Sequence, residues 1–156
     1  SDLFEGSARV PLIISVPGMT TAGMGTSALS ELVDLYPTLA DLCGLTAPKH
    51  VMGDSLLPIL QRPLRKGKEV AYTVTRIRPK GFRTKTQPNP LGRTVRTKRY
   101  RYTEWLEGKH GVELYDYLED PMEFHNLAEH TEHQETRKEL AALLAKMQKK
   151  ATWDSN

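Results

Sequence analysis

The stretch "RTVRTKRYRYTEW", residues 93–105, decides the fold of this chain. β-Branched and aromatic residues alternate there with charged ones, the pattern of strands that have two different faces. Lys98-Arg99 interrupts it at a point short enough for a hairpin turn, although the Asn-Gly signal is missing. Alternation places Arg99 and Arg101 on one face and Tyr100 and Tyr102 on the other, with the tyrosines expected in a core. "EVAYTVT" (69–75) before it and "VELYDY" (112–117) after it have the same character, so four strands are expected. Between the first two strands runs "RPKGFRTKTQPNPLG" (78–92), a loop of functional length rich in Pro, Gly and basic residues.

The elements on either side complete an α+β unit. Asp120-Pro121 stops the fourth strand, and "MEFHNLAEH" (122–130) reads as a turn-rich connection. Thr131 and Gln134 then offer a capping box to a helix. On it Leu140, Leu143, Leu144, Met147 and Ala151 form one stripe, with Lys146, Lys149 and Lys150 near the negative end of its dipole. This helix is expected to lie across a four-stranded antiparallel sheet.

Residues 1–62 read differently. The run Arg9 to Val16 is apolar without alternation, as in a strand of a parallel sheet covered on both faces. Pro17-Gly18 ends it, and "GMTTAGMGTSA" (18–28) follows as a surface loop. "LVDLYPTLADLCGL" (32–45) predicts a helix capped by Asp34, with Leu35, Leu39 and Leu42 on its buried face and Gly44 as its stop. "GDSLLPILQR" (53–62) adds one or two helical turns. These apolar faces need more than one short strand, so the chain is expected to hold the end of a main α/β domain (1–62) and an antiparallel C-terminal subdomain (63–156). The single cysteine, Cys43, reads as a buried, inert thiol.

The net charge of +3 hides a division. Residues 62–109 hold fifteen Lys and Arg against three acids, a net +12, which leaves −9 for the remainder. Such asymmetry fits a face for anionic ligands, and also a solvated sheet edge. Nucleic acid is disfavoured because no module pattern such as an RNP motif is present. No run reaches the roughly 18–20 apolar residues of a membrane helix, and no segment resembles a signal peptide.

Catalytic signatures are sparse. There is no GxSxG elbow, P-loop, CxxC or HExxH. His125, His130 and His133 near Asp120, Glu123 and Glu129 are metal-donor types, but their spacing straddles a turn and a helix cap, which favours exposed polar residues. Glu119-Asp120 read as turn formers rather than an acid–base pair.

In order along the chain, "LFEGSARVPLIISVPG" (3–18), "LVDLYPTLADLCGL", "MGDSLLPIL" (52–60), "RTVRTKRYRYTEW", "ELYDYLEDPMEFHNLA" (113–128) and the Leu-rich helix resemble the C-terminal third of a sulfatase of the iduronate-2-sulfatase-like branch. The resemblance implies the C-terminal portion of an α/β alkaline-phosphatase-like fold, with the strand and helices of residues 1–62 joining the main parallel sheet. It implies hydrolysis of sulfate esters, as of a sulfated sugar, by a longer protein. The calcium and the formylglycine of that enzyme, made from a Cys/Ser-x-Pro-x-Arg motif, would lie outside this chain, as would a sulfate-contacting lysine ahead of Ser1. Cys43 is followed by Gly-Leu-Thr-Ala and does not fit that motif.

On this reading the chain is inactive alone, binds no metal and contributes no catalytic residue. It depends on the N-terminal sulfatase portion and, by family habit, lies outside the cytoplasm. Arg96, Arg99, Lys109 and His110 are its candidate contacts at the rim of the substrate pocket. Neither nucleic acid nor membrane is an expected partner. The alternatives are a stand-alone binding module for sulfated polysaccharide and a part of a related metal-dependent phosphatase or phosphonate hydrolase.

Overall fold

The computed structural model describes residues 3–76 and 91–151; the basic loop expected at 78–92 falls almost wholly outside them. The chain divides into two compact units, Ser1–Val10 with Tyr72–Asn156, and Pro11–Ala71.

The first unit is built on the expected sheet. Strands β1 (Val70–Arg76), β2 (Leu91–Thr97), β3 (Tyr100–Trp105) and β4 (Val112–Asp116) lie in sequence order. β2 and β3 are antiparallel, with Val95 opposite Tyr102 and Arg96 opposite Arg101. β3 and β4 are antiparallel as well, with Tyr102 opposite Leu114. Thr94 and Thr103, also opposite one another, satisfy their buried hydroxyls by a mutual hydrogen bond of 2.9 Å. Helix α4 (Gln134–Ala151) packs against β2 and β3. Its buried residues are Leu140 and Leu144, with Leu143 and Met147 half-buried beside them, so the apolar stripe read from sequence is the packing face as far as Met147, while Ala151 is exposed. A 3₁₀ turn, Thr131–His133, precedes α4, with His130 at its cap position and no side-chain capping bond.

Alternation along β3 holds, but its meaning changes. Tyr102 is buried, and so is Arg101, with 2% exposure. Both faces of this strand are covered. The second cover is the start of the chain, where Leu3 is buried and a short helix α1 (Glu5–Ala8) follows.

The second unit has two short helices, α2 (Leu35–Leu42) and α3 (Leu57–Gln61). The expected leucine face of α2 is not its buried face. Asp34, Pro37 and Thr38 are buried, Leu39 is exposed, and Leu35 and Leu42 are half-buried. Polar bonding explains the rotation. Asp34 Oδ2 accepts from the Glu31 backbone N–H at 2.8 Å, and Oδ1 accepts from the Asp54 N–H at 2.8 Å. The Thr38 hydroxyl donates to the Asp34 carbonyl at 2.6 Å and accepts from the Leu56 N–H at 2.8 Å. Lys68 Nζ, 2.7 Å from both Asp34 Oδ1 and Glu31 Oε2, neutralises the buried carboxylate. With α2 turned this way Cys43 is exposed, not buried.

Residues 10–16 also depart from expectation. They form no strand, and Val10, Leu12 and Ile13 are exposed. A strand exists only through hydrogen bonds to a neighbour, and among the described residues this segment has none. It keeps the composition of a buried strand without the ladder.

Gly92 lies opposite Trp105, and a Cβ on it would collide with the indole ring. The ring is held in turn by an Nε1–H bond to Glu113 Oε1 at 3.0 Å. Gly92→Ala is therefore expected to destabilise the protein by about 1–3 kcal/mol, read as a lower urea midpoint. An unchanged midpoint would show that the indole is free to move.

Candidate functional site

Three of the four candidate rim residues lie on the two turns that flank β3, while Arg96 lies within β2. Lys98 and Arg99 form the β2–β3 turn. The β3–β4 turn contains Lys109 and His110, and its backbone is left-handed at Leu106 (φ 47°), Glu107 (57°) and Gly108 (81°). It is closed by N–H bonds from Lys109 to the Leu106 carbonyl and from His110 to the Trp105 carbonyl, each 3.1 Å. The turns sit at opposite ends of the strand, and six residues of β-strand keep them about 17 Å apart. Arg99 is therefore separated from Lys109 and His110, and the four residues are not brought together at one point.

At the β2–β3 end Arg99 is committed to Asp116. Its Nε lies 2.9 Å from both carboxylate oxygens and its Nη2 lies 2.6 Å from Oδ2. The arginine side chain is still 50% exposed, while that of Asp116 is buried. The Arg99 hydrogen bond is the chief reason that the Asp116 carboxyl is held below its ordinary range. At the β3–β4 end the Lys109 and His110 side chains are exposed and have no partner among the described residues.

Arg96 points elsewhere. Its Nε lies 3.3 Å from Glu5 Oε2, its Nη1 donates to the Thr97 carbonyl, and its guanidinium sits 3.5 Å above the centre of the Tyr117 ring. It belongs to a network that residue patterns did not reveal. Arg101 Nη2 lies 2.5 Å from Glu5 Oε2. Its Nε–H lies 2.7 Å from Glu123 Oε1 and 2.9 Å from the Tyr117 hydroxyl. That hydroxyl is within reach of Glu123 Oε1 and, at 3.2 Å, of Glu5 Oε2. The second oxygen of Glu123 accepts the Glu5 backbone N–H at 2.6 Å. Two guanidiniums thus face two carboxylates, and the net charge of the buried cluster is zero.

Burial pushes the Glu5 carboxyl up, but Arg96 and Arg101 outweigh it and hold the group below its usual range. Burial, and after it the Glu123 hydrogen bond, push the Tyr117 phenol up, so it remains a proton donor. The only sequence signals for this network were Arg101 inside an alternating strand and the Phe4-Glu5 pair. Glu5 stands 91 to 118 positions from its partners in it, beyond any local pattern.

The +12 segment is therefore less available to ligands than its composition implied. Lys66 pairs with Glu69, Lys68 with Glu31 and Asp34, Arg93 with Glu107, and Arg96, Arg99 and Arg101 as described. Metal chemistry does not fit the described residues either. His130 and His133 have ring centres 6.3 Å apart with Glu132 near both, but no three His, Cys, Asp or Glu side chains converge on one point. No described helix is long and apolar enough to cross a membrane.

Arg101→Ala would leave two carboxylates buried without their shared cation. The expected cost is about 3–5 kcal/mol, measured by chemical denaturation; a cost below about 1 kcal/mol would place the network in solvent. Glu5 has a lower pKa folded than unfolded, so its stabilisation is complete above the ordinary Glu value of about 4.3. It fades as the pH falls through the folded value. Glu5→Gln is expected to flatten that acid limb of the stability curve, and an unaltered limb would assign it to other carboxylates.

Comparison with known proteins agrees with this architecture. The sequence model of the family described as N-sulphoglucosamine sulphohydrolase, C-terminal, matches residues 2–150. A Delta 4,5-hexuronate-2-O-sulfatase of Bacteroides thetaiotaomicron is 36% identical over 143 residues, covering 90% of this chain and 28% of that protein. A solved structure in complex with its substrate D-glucosamine-2-N,6-O-disulfate superposes with a TM-score of 0.70 at 28% identity, over 82% of this chain and 26% of that one. A solved 2-O GAG sulfatase superposes with a TM-score of 0.62 at 35% identity, over 75% of this chain and 24% of that one. The chain spans about a quarter of the length of the curated relatives it matches. It belongs to the sulfatase family, and its sheet and long helix are the α+β C-terminal part of the alkaline-phosphatase-like fold.

Proposed function

We propose that this chain is the C-terminal part of a sulfatase that hydrolyses sulfate esters of a sulfated sugar, and that it supplies scaffold and a basic rim rather than the reacting groups. The observation that carries the reading is the ordered match of residues 2–150 to a sulfatase C-terminal family. The exposed apolar run at residues 10–16 supports it, since that composition calls for a sheet.

In the complete enzyme, calcium and formylglycine would supply Lewis-acid and nucleophilic chemistry from the N-terminal portion. The side chains of this chain bind and orient. Lys109 and His110, exposed on a turn with a left-handed backbone, offer donors to a sulfate or a sugar hydroxyl. Arg99 keeps one edge of its guanidinium toward solvent at the other end of the sheet, and we assign it a separate contact. Arg96 acts through Glu5 and Tyr117, as part of the support. The protein is proposed to work outside the cytoplasm.

The test is release of inorganic sulfate from sulfated monosaccharides by the full-length protein, followed by ion chromatography. Sulfate release is the expected result. A full-length protein that releases none, yet retains heparin with a steep salt dependence, would overturn the reading in favour of a binding module. Within an active enzyme, Lys109→Ala and His110→Ala are each expected to raise KM about tenfold with kcat little changed. An unchanged KM removes that residue from the rim.

A further inference from the structure

A cavity of about 410 Å³ lies between the sheet and the final helix, open to solvent on one side. Tyr102 of β3 lines it, together with Gln134, Arg137, Lys138 and Ala141 of α4. The four helix residues stand at i, i+3, i+4 and i+7, so α4 presents them along one stripe. None of the candidate rim residues takes part. The volume falls within the range of small-molecule sites.

Both walls are fixed by the fold. Tyr102 is buried, lies between Val95 and Leu114 of the neighbouring strands, and donates its hydroxyl to Glu104 Oε1 at 2.8 Å. Arg137 Nη1 donates to the Ala128 carbonyl at 2.9 Å. Ala128 is buried in its turn, with its N–H bonded to Asn126 Oδ1 at 3.0 Å. The cavity is therefore built before any ligand arrives, which lowers the cost of ordering on binding.

Its chemistry selects the ligand. The five lining residues bring a guanidinium, an ammonium and an amide, and no carboxylate. The acids that pair with the two cations are Glu129, 3.6 Å from Arg137, and Glu135, 2.7 Å from Lys138, and their side chains are 86% and 81% exposed. Solvent screens such pairs, so an incoming anion displaces them at little cost. The Tyr102 ring, the Ala141 methyl and the alkyl stems of Arg137 and Lys138 supply an apolar surface between the polar groups. A ring-shaped body with one acidic group matches this set. The acid pairs with the guanidinium fork, the ring lies on the apolar part, and hydroxyls meet the Gln134 amide, which both donates and accepts.

We propose that this cavity binds an acidic sugar unit, one that carries a carboxylate or a sulfate; the sugar rests on the sulfatase reading above. The experiment is methyl NMR of the full-length protein with its alanine methyl groups labelled. The probe is methyl β-D-glucuronide, an acidic sugar with no sulfate ester to hydrolyse. The Ala141 methyl resonance, identified by its loss in Ala141→Ser, is expected to move saturably. Arg137→Gln is expected to weaken binding about tenfold, and Lys138→Ala, which removes an exposed lysine, about threefold. An Ala141 resonance that stays in place throughout the titration overturns the proposal. So does a saturating shift whose affinity is unchanged in the folded variants; if Arg137→Gln does not fold, Lys138→Ala decides alone. An equal response to acetate overturns the sugar assignment in favour of a bare anion site.

The same preparation is assayed for sulfate release, which separates this inference from the reading beneath it. Sulfate release with an unmoved Ala141 resonance refutes the acidic-sugar site alone. A saturable Ala141 shift in a protein that releases no sulfate keeps the site and refutes the sulfatase reading.

Discussion

Arg101 is the constraint on which the first unit depends. A guanidinium that is 2% exposed must have its charge met inside the protein, and here it is met by Glu5 from the start of the chain and Glu123 from the loop after β4. A hydrophobic residue in its place could tolerate several covers. An arginine accepts only one that brings carboxylates to the right oxygens, so the pairing selects this arrangement of segments over other compact ones. The remainder of the network is ordered by that choice: Tyr117 fills the gap between the acids, and Arg96 lies over its ring.

The second unit obeys the same logic on a smaller scale. Asp34 and Thr38 are buried because three backbone N–H groups and their own mutual hydrogen bond satisfy them there, and Lys68 balances the charge. The consequence is that α2 shows Leu39 and Tyr36 to the outside. Hydrophobic periodicity alone would turn the helix the other way. Satisfying a buried carboxylate outweighs burying one more leucine, because an unpaired charge in the interior costs several times what a leucine side chain gains.

Part of the basic character of residues 62–109 has a structural explanation. Among the described residues, Lys68, Arg96, Arg99 and Arg101 are bound to acids from the negatively charged remainder of the chain, and Lys66 and Arg93 to acids of the segment itself. Of the candidate rim residues, Lys109 and His110 stand at one end of β3 and the outer edge of Arg99 at the other.

The sequence by itself determined the four strands, the long final helix and its packing stripe, since each rests on a local period that fits within a dozen residues. Six ordered motifs also made the family legible. The cover on the second face of β3, the inward turn of Arg96 and the separation of the rim residues were decided only in three dimensions. Glu5 and its partners stand 91 to 118 positions apart, and no periodicity spans that distance. Residues 10–16 mark the opposite case: their apolar composition led to the expectation of a strand, but a strand is a property of a pair, and among the described residues the segment pairs with none.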